Sequence, residues 1–511
     1  MSERAWTDVL VAIDVGTSGA RAAAFDLDGI RRLEVRRPYA TRSPRPGWAE
    51  QDPRDWRRAS LGALRTLVRD LGPRRRVHAI GLTGQCPTIC LVDARQRPVR
   101  PGLIYRDNRA EAEAAAIRAR FGEAWIHART GHLPAAFHIA PKLQWVRDHE
   151  PGVFRAAQLA LQPRDLVALA LTGVAATDGT HAAATLAYDL RGGRWDAELL
   201  EGLGLPASLF PPVRGSWEPI GTLRPAAADS VGLPRTTPVV LGGADSQACA
   251  LGVGVVAPGP VSEMAGSSTC LNAAVPEPLA ELLVTHYPHV VPGPFTTETG
   301  INTTGAAVAW IADLFYAGRR GRARSTDYQR LDRETASVPA GGDGLLALPV
   351  LADGERTDPS LRAAFTGLSL RHGRAAMARA MLEGVAFTIR GQLALLKAGG
   401  APVSELRVSG GDVRLGTWNR IKADVLGIPV VTVAGDAAVT GVAMLAGLGV
   451  GLYRDAGEVI ARCVRWETRI DPDAGAHVLY GEPYADFQAL MEARAVRRDT
   501  TGTSDRPIGP G

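Results

Sequence analysis

The chain has 511 residues, 46% of them hydrophobic and 22% charged, with a formal net charge of +5. That length exceeds the ~250–300 residues at which a single core stops growing, so two domains are expected. Only three of the 58 basic residues are lysines (Lys142, Lys397, Lys422), and the arginines alternate with acids instead of clustering, which argues against a nucleic-acid footprint.

Residues 8–14 (DVLVAID) form an apolar run predicted as a strand. Residues 15–19 make a glycine turn, and 20–29 and 30–40 alternate as two further strands. Residues 52–72 carry apolar positions at helical spacing with a proline near the start, which predicts a helix. The run 76–84 (RVHAIGLTG) returns to strand, so the layout is α/β. In 239–254 (VVLGGADSQACALGVG) an apolar run ends in two glycines, a lone acid, Asp245, follows, and a small-residue segment comes next. A strand-end turn explains this window, as does a carboxylate held at the carboxyl end of a sheet strand, where α/β proteins bind ligands.

Residues 259–275 repeat the grammar of strand, small-residue turn, strand. Their likeness to DVGTSGARAAAFD makes an internal duplication a candidate. A strong helix is predicted over 375–400, ending at glycines. Residues 406–435 read as strand, glycine turn, helix, strand. The apolar stretch 437–453 is too short and glycine-rich for a membrane span and fits a tightly packed helix. The tail 497–511, polar and rich in Pro and Gly, is expected to be disordered. The N-terminus has an acid inside its first apolar run and does not read as a signal peptide. Five cysteines (Cys86, Cys90, Cys249, Cys270, Cys463) with no CxxC pair predict reduced thiols in a cytoplasmic protein.

A turn such as DVGTSGAR (14–21) offers successive backbone N–H groups and two hydroxyls with little bulk, which suits anionic phosphate oxygens. Arg21 adds a charged donor, and Asp14 is a candidate ligand for Mg²⁺, which prefers oxygen donors and retains water. Other nucleotide and nucleophile signatures are missing. There is no G-x-x-x-x-G-K-S/T loop, no G-x-G-x-x-G after a strand and no G-x-S-x-G elbow.

The whole order resembles the FGGY carbohydrate kinases, the sugar-kinase branch of the actin-like ATPase fold. DVGTSGAR is similar to their first phosphate loop and GWAEQDPRDW (47–56) to their G-x-x-E-Q-D-P-x-x-W stretch. GLTGQ (81–85) is similar to the strand end that opens the sugar pocket, and YRDNRA (105–110) to the W-x-D-x-R-A segment. Residues 161–190 resemble the long element before the catalytic region, and GGADSQACALGVG the segment with the catalytic aspartate. AGSSTC (265–270) resembles the second phosphate loop, 354–368 a shared surface loop, RAMLEGVAF (379–387) the helix behind the cleft, and 409–430 the adenosine motif. The likeness spans about residues 8 to 455 in the correct order.

The resemblance implies an α/β fold of two actin-like ATPase (ribonuclease H-like) domains around a central cleft. An N-terminal FGGY domain over 1–247 would hold the sugar pocket and first phosphate loop. A C-terminal one over 248–490 would hold the second phosphate loop and adenosine motif, with 491–511 as a disordered tail. It implies a phosphotransferase with an alcohol acceptor, using ATP and Mg²⁺ on a sugar hydroxyl. Asp245 would be the general base, and Asp14 and Asp245 the metal ligands. Gly16, Thr17, Ser18 and Arg21 would face the phosphates across from Gly266 and Ser267. Gly305, Gly410 and Gly411 would line the nucleotide side. Gln85, Cys86, Pro87, Asp107 and Ser246 would line the sugar pocket, with Thr88 and Asn108 as further donors. Glu383, Trp48, Trp56 and Trp418 are expected to be structural. The family implies a small sugar and ATP as partners, neither nucleic acid nor membrane, and homodimers are common in it.

The sequence departs from the family at the substrate. Cys86-Pro87 follows GQ where xylulokinase-like members carry Met-His and glycerol kinases Arg-Glu, and Phe137 replaces a substrate-contacting tyrosine of glycerol kinases. Neither Cys86 nor Pro87 is a strong hydrogen-bonding residue. D-xylulose is the first expectation, with another ketose, a polyol or a sugar acid open beside it, and a non-transferring actin-like ATPase or sugar sensor as the alternative from another class.

Overall fold

The structure, a computed structural model, describes residues 7–352, 354–355 and 360–496. Its N-terminal half is built on β1 (Asp8–Val15), β2 (Gly19–Asp26), β3 (Arg31–Pro38), β4 (Arg76–Gly84), β5 (Pro219–Thr222) and β6 (Pro238–Val240), in the order β5-β6-β4-β1-β2-β3. Helices α1 (Pro53–Leu71) and α2 (Pro163–Thr172) lie between β3 and β5 in the chain. Asp52 caps α1 by accepting from Arg54 N at 2.9 Å, and Pro53 occupies the first turn, where no N–H is missed. The face of α1 that carries Trp56, Leu64 and Leu67 is fully buried in the core of this half. Each such side chain is worth about 1.5–3 kcal/mol of transfer free energy.

After α3 (Asp245–Gly252) the chain builds a second sheet from β7 (Gly259–Ala265), β8 (Thr269–Val275), β9 (Thr285–Pro288), β10 (Phe295–Ile301), β11 (Val403–Gly410), β12 (Val430–Val433) and β13 (Trp466–Ile470), ordered β9-β10-β8-β7-β11-β12-β13. Its helices include α4 (Gly305–Phe315), α5 (Arg374–Ala398), α6 (Gly416–Leu426), α7 (Ala437–Gly449) and α8 (Gly481–Val496).

The two sheets repeat one pairing pattern. From β3 to β5 the pairs run antiparallel, antiparallel, parallel, parallel, antiparallel. From β10 to β13 they do the same, with β9 added outside. The likeness of the two glycine turns in the sequence is therefore carried by the whole sheets. The central parallel pair ends on a glycine in both copies, Val15 opposite Gly84 and Ala265 opposite Gly410. A Cβ at Gly84 would lie 3.0 Å from the Val15 carbonyl oxygen, and one at Gly410 2.3 Å from that of Ala265. The same neighbour crowds both places, and at Gly410, where φ is +110°, it leaves room for glycine alone.

Helices α3 and α7 cross backbone to backbone. A Cβ at Gly252 would meet the Ala437 carbonyl at 1.9 Å, and one at Gly441 the Ala248 carbonyl at 1.9 Å. Helix α7 also lies on β4, where a Cβ at Gly81 would stand 2.6 Å from Val442 O. Gly441, Gly447 and Gly449 thus serve close packing, and among the described residues no helix is long and apolar enough to cross a membrane. Helix α8 runs to Val496, which corrects the expectation of a tail starting at residue 491. The remainder of that tail, 497–511, lies outside the described residues, as does part of the expected surface loop 354–368.

Candidate active site

Asp245 is not at a strand end but is the first residue of α3. Residues 241–244 carry the chain there from β6. Gly242 makes the turn at φ +71°, where a Cβ would lie 1.7 Å from Leu82 O, so no other residue fits. An isolated parallel bridge joins Gly84 to Ala244, which brings Gln85 and Asp245 to the same edge of the sheet. Burial, the charge of Asp14 and the charge of Glu298 push the Asp245 carboxyl up to about 7, against a 2.9 Å hydrogen bond from Ser246 N. Asp14, at the end of β1, is raised too, by burial first, with Arg21 opposing and Asp436 adding to the rise. Two buried carboxyls of raised proton affinity, one of which raises the other, suit a cation or a proton.

The first glycine turn has its carbonyls tied down from behind. Gly16 O accepts from Tyr39 Oη and from Gln85 Nε2 at 3.4 Å, Thr17 O from Gln51 Nε2 at 2.7 Å, Ser18 O from Tyr39 N at 3.3 Å and Gly19 O from Gly16 N at 3.1 Å. Gly19 has no room for a side chain, since a Cβ would lie 2.6 Å from Arg37 O. Arg21, expected to face phosphate, has its terminal nitrogens on carboxylates: Nη2 on Asp14 at 2.9 Å, and Nη1 on Asp436, the cap of α7. The register of β1 and β2 sets Arg21 opposite Asp14.

The second turn is exposed over Gly266–Ser268 and is braced by the N-terminus of α4. Gly305 N donates to Gly266 O and Ala306 N to Ser267 O, each at 3.1 Å, and Thr304 Oγ1 reaches Gly266 O at 3.3 Å. Thr269, where the family pattern has glycine, is buried with its hydroxyl 2.8 Å from that of Thr304. Gly410 sits beside this turn through its pairing with Ala265, and Gly411 is exposed with open space where a Cβ would stand.

At the sugar end the sequence expectations divide. Gln85 is buried, donating to Gln51 Oε1 at 2.8 Å, and Trp56 Nε1 donates to the same oxygen at 2.8 Å. Cys86, partly exposed, joins buried Pro87 through a cis peptide bond. The Cys86 thiol is pushed well up by burial and then by the charge of Asp245. Ser246 Oγ donates to Glu298 Oε2 on β10 at 2.7 Å, tying the two halves together beneath Asp245. Asp107, expected to line the sugar pocket, has a wholly buried side chain that accepts from Ala49 N at 2.6 Å and is held by Arg109 at 2.7 Å. Arg109 in turn lies 3.6 Å over Trp48. Glu383, Trp56 and Trp418 are buried as expected, Glu383 on Arg379 and Tyr480.

Sequence reasoning missed Lys142. It is fully buried on the sugar side, donating to Ile104 O at 2.7 Å and Phe137 O at 2.8 Å, and burial brings its ammonium down to about 7. The signal was a rare lysine inside an apolar stretch. It missed Tyr39 and Gln51 as well, because their role is to hold backbone carbonyls, which no local pattern reveals.

Residues 9–252 match the N-terminal domain of the FGGY family of carbohydrate kinases, and residues 262–450 match its C-terminal domain. The chain belongs to the FGGY family of carbohydrate kinases. Members of this FGGY family are phosphotransferases with an alcohol group as acceptor, and this chain is a sugar kinase of that kind. A xylulose kinase of Bacillus subtilis (strain 168) is 27% identical over 472 residues, covering 91% of this chain and 93% of its own. A glycerol kinase of Rhodospirillum centenum (strain ATCC 51521 / SW) is 31% identical over 517 residues, covering 97% and 99%. The crystal structure of xylulose kinase from Rhodospirillum rubrum superposes with a TM-score of 0.88 at 33% identity, covering 95% and 98%. The two actin-like domains of the FGGY fold are thus present in order.

Proposed function

We propose that the chain transfers the γ-phosphoryl group of ATP to a hydroxyl of a ketopentose, D-xylulose in the first place. Asp245 is the general base. The single observation that carries this reading is the Asp245 carboxyl, poised near neutrality at the edge where Gln85 and the first glycine turn meet. Phosphoryl transfer asks little covalent chemistry of the protein beyond positioning, charge neutralisation and a carboxylate for the hydroxyl proton. As the sugar oxygen bonds to the γ-phosphorus, the bond to the β,γ-bridging oxygen breaks, the hydroxyl proton passes to Asp245, and ADP leaves. Thr17 and Ser18 on one side and Gly266 and Ser267 on the other offer backbone N–H groups and hydroxyls to the phosphates, with Gly305 holding the second turn in shape. Gly410 and Gly411 leave room for adenosine.

The donor set fits Mg²⁺. Asp14 and Asp245 are hard oxygen donors of the kind magnesium prefers, they would hold the ion, and the charge of Asp14 on Asp245 already favours a positive partner. When bound, the ion neutralises phosphate charge. Arg21 holds one oxygen of Asp14, leaving the other for the metal, and exchanges a carboxylate for phosphate when nucleotide enters. Gln85, Cys86, Pro87 and Ser246 line the sugar. Xylulose and glycerol kinases resemble the chain equally, and what supports xylulose over glycerol is Phe137, which lacks the hydroxyl a small polyol would use.

ADP release from Mg-ATP across ketoses, polyols and sugar acids, beside Asp245→Asn, tests this. Turnover with D-xylulose that falls at least about 100-fold in the variant is expected, since a positioned base contributes roughly 10²–10⁴. ATP binding with no turnover on any acceptor would overturn it in favour of a non-transferring ATPase or sensor.

A further inference from the structure

The segment Leu241–Ala244 that delivers Asp245 contains two glycines and has little intrinsic stiffness. Its backbone is nonetheless tied at almost every polar atom, and the side-chain ties come mainly from one buried cluster. Arg164 on α2, with no exposed surface, donates from Nη1 to Leu241 O at 2.6 Å and Gly242 O at 3.0 Å, and from Nη2 to Asp178 Oδ1 at 2.8 Å. Asp178, equally buried, accepts from Thr180 Oγ1 at 2.6 Å, Ser216 Oγ at 2.7 Å and His181 Nδ1 at 2.7 Å. Thr180 Oγ1, its proton committed to Asp178, accepts from Ala244 N at 2.8 Å. Gly242 N reaches Ser216 O at 2.7 Å, and Thr83 Oγ1 reaches Gly243 O at 2.7 Å.

A buried ion pair is weak evidence for stability, because well-packed apolar residues of similar volume are often as good. What the charges supply here is direction. The guanidinium fixes two successive carbonyls, and the carboxylate fixes the rotamer of Thr180, whose oxygen then accepts from the N–H of the residue just before Asp245. We propose that Thr180, oriented by Asp178 and Arg164, is a positioning residue for the general base. It sets where the Asp245 carboxylate stands relative to the sugar hydroxyl. The inference rests on the assignment of Asp245 as base given above.

The test is Thr180→Val, which removes one oxygen at nearly constant volume, beside Thr180→Ser, which keeps it, and Asp245→Asn. Misplacing a reacting group by about 1 Å can cost roughly 100-fold, so Thr180→Val is expected to lower kcat by about 10- to 100-fold. KM for sugar and for ATP should stay within about threefold, the protein should remain folded with a melting temperature lower by several degrees because the buried Ala244 N–H loses its acceptor, and Thr180→Ser should recover most of the rate. Wild-type kcat in folded Thr180→Val would overturn the proposal, as would a loss matched by lost folded protein or one that Thr180→Ser fails to rescue. Full turnover in Asp245→Asn would instead remove the base assignment, so the two failures are separable. Asp178→Asn, which keeps shape but loses charge, serves where Thr180→Val does not fold, with the same kcat-against-KM split expected and unchanged kcat overturning the proposal.

Discussion

Asp245 carries opposite demands. Its raised carboxyl makes it an effective proton acceptor near neutrality, and burial together with Asp14 and Glu298 produces that rise. Rate on the sugar should therefore climb with pH as Asp245 ionises, up to about 7, and level off above, measured as kcat/KM for free enzyme. A profile flat from pH 5 to 8 would contradict this. Stability runs the other way. A carboxyl whose folded proton affinity exceeds its unfolded one contributes stability that is full below the ordinary carboxylate range and lost as pH rises through about 7. Asp245→Asn should accordingly melt higher than the parent at pH 8, with the gap closing toward pH 4, in a thermal scan without ligands. The sequence made Asp245 legible because glycine and alanine surround a solitary acid. It left the orientation of Asp107 open, because a W-x-D-x-R-A likeness says nothing of which way a carboxylate turns. Asp107 turns toward Arg109 and Ala49 N, and only the folded chain sets those partners.

Among the elements, strands and helices were readable where periodicity and glycine punctuation agree. The strand 76–84 and the helices over 53–71 and 374–398 fall within two residues of expectation. The start of α3 was not readable, since a small-residue run after two glycines looks alike as turn or helix. What makes it helical is its partner α7, on which it packs at a distance only glycine permits. Gly441→Ala would drive a methyl into the Ala248 carbonyl, and overpacking of this kind costs roughly 1–3 kcal/mol. At about 2–4 °C per kcal/mol for domains of 150–250 residues, a fall of several degrees in Tm is expected. Because α3 begins with Asp245 and α7 is capped by Asp436, which holds Arg21, kcat should fall with it. An unchanged Tm would show that the helices separate without cost.

Across the whole molecule, two copies of one sheet face a shared site, linked beneath it by Ser246 on Glu298 and above it by Arg21 on Asp436. Such an arrangement predicts closure on ligands, which expels water and holds back idle hydrolysis. ADP release without sugar should be at least about tenfold slower than with it, and the radius of gyration in small-angle scattering should shrink only when nucleotide analogue and sugar are both present. Equal rates with and without sugar would favour the non-transferring alternative. Gly84 and Gly410 hold matching places in the two copies, each against the last carbonyl of its neighbouring strand. Past the first lie Gln85, Cys86 and Pro87; past the second lies the bare backbone of Gly411. One socket thus occurs twice with different surroundings, and on the roles proposed above a substitution at 85–87 would alter acceptor choice while leaving the backbone of the second copy untouched.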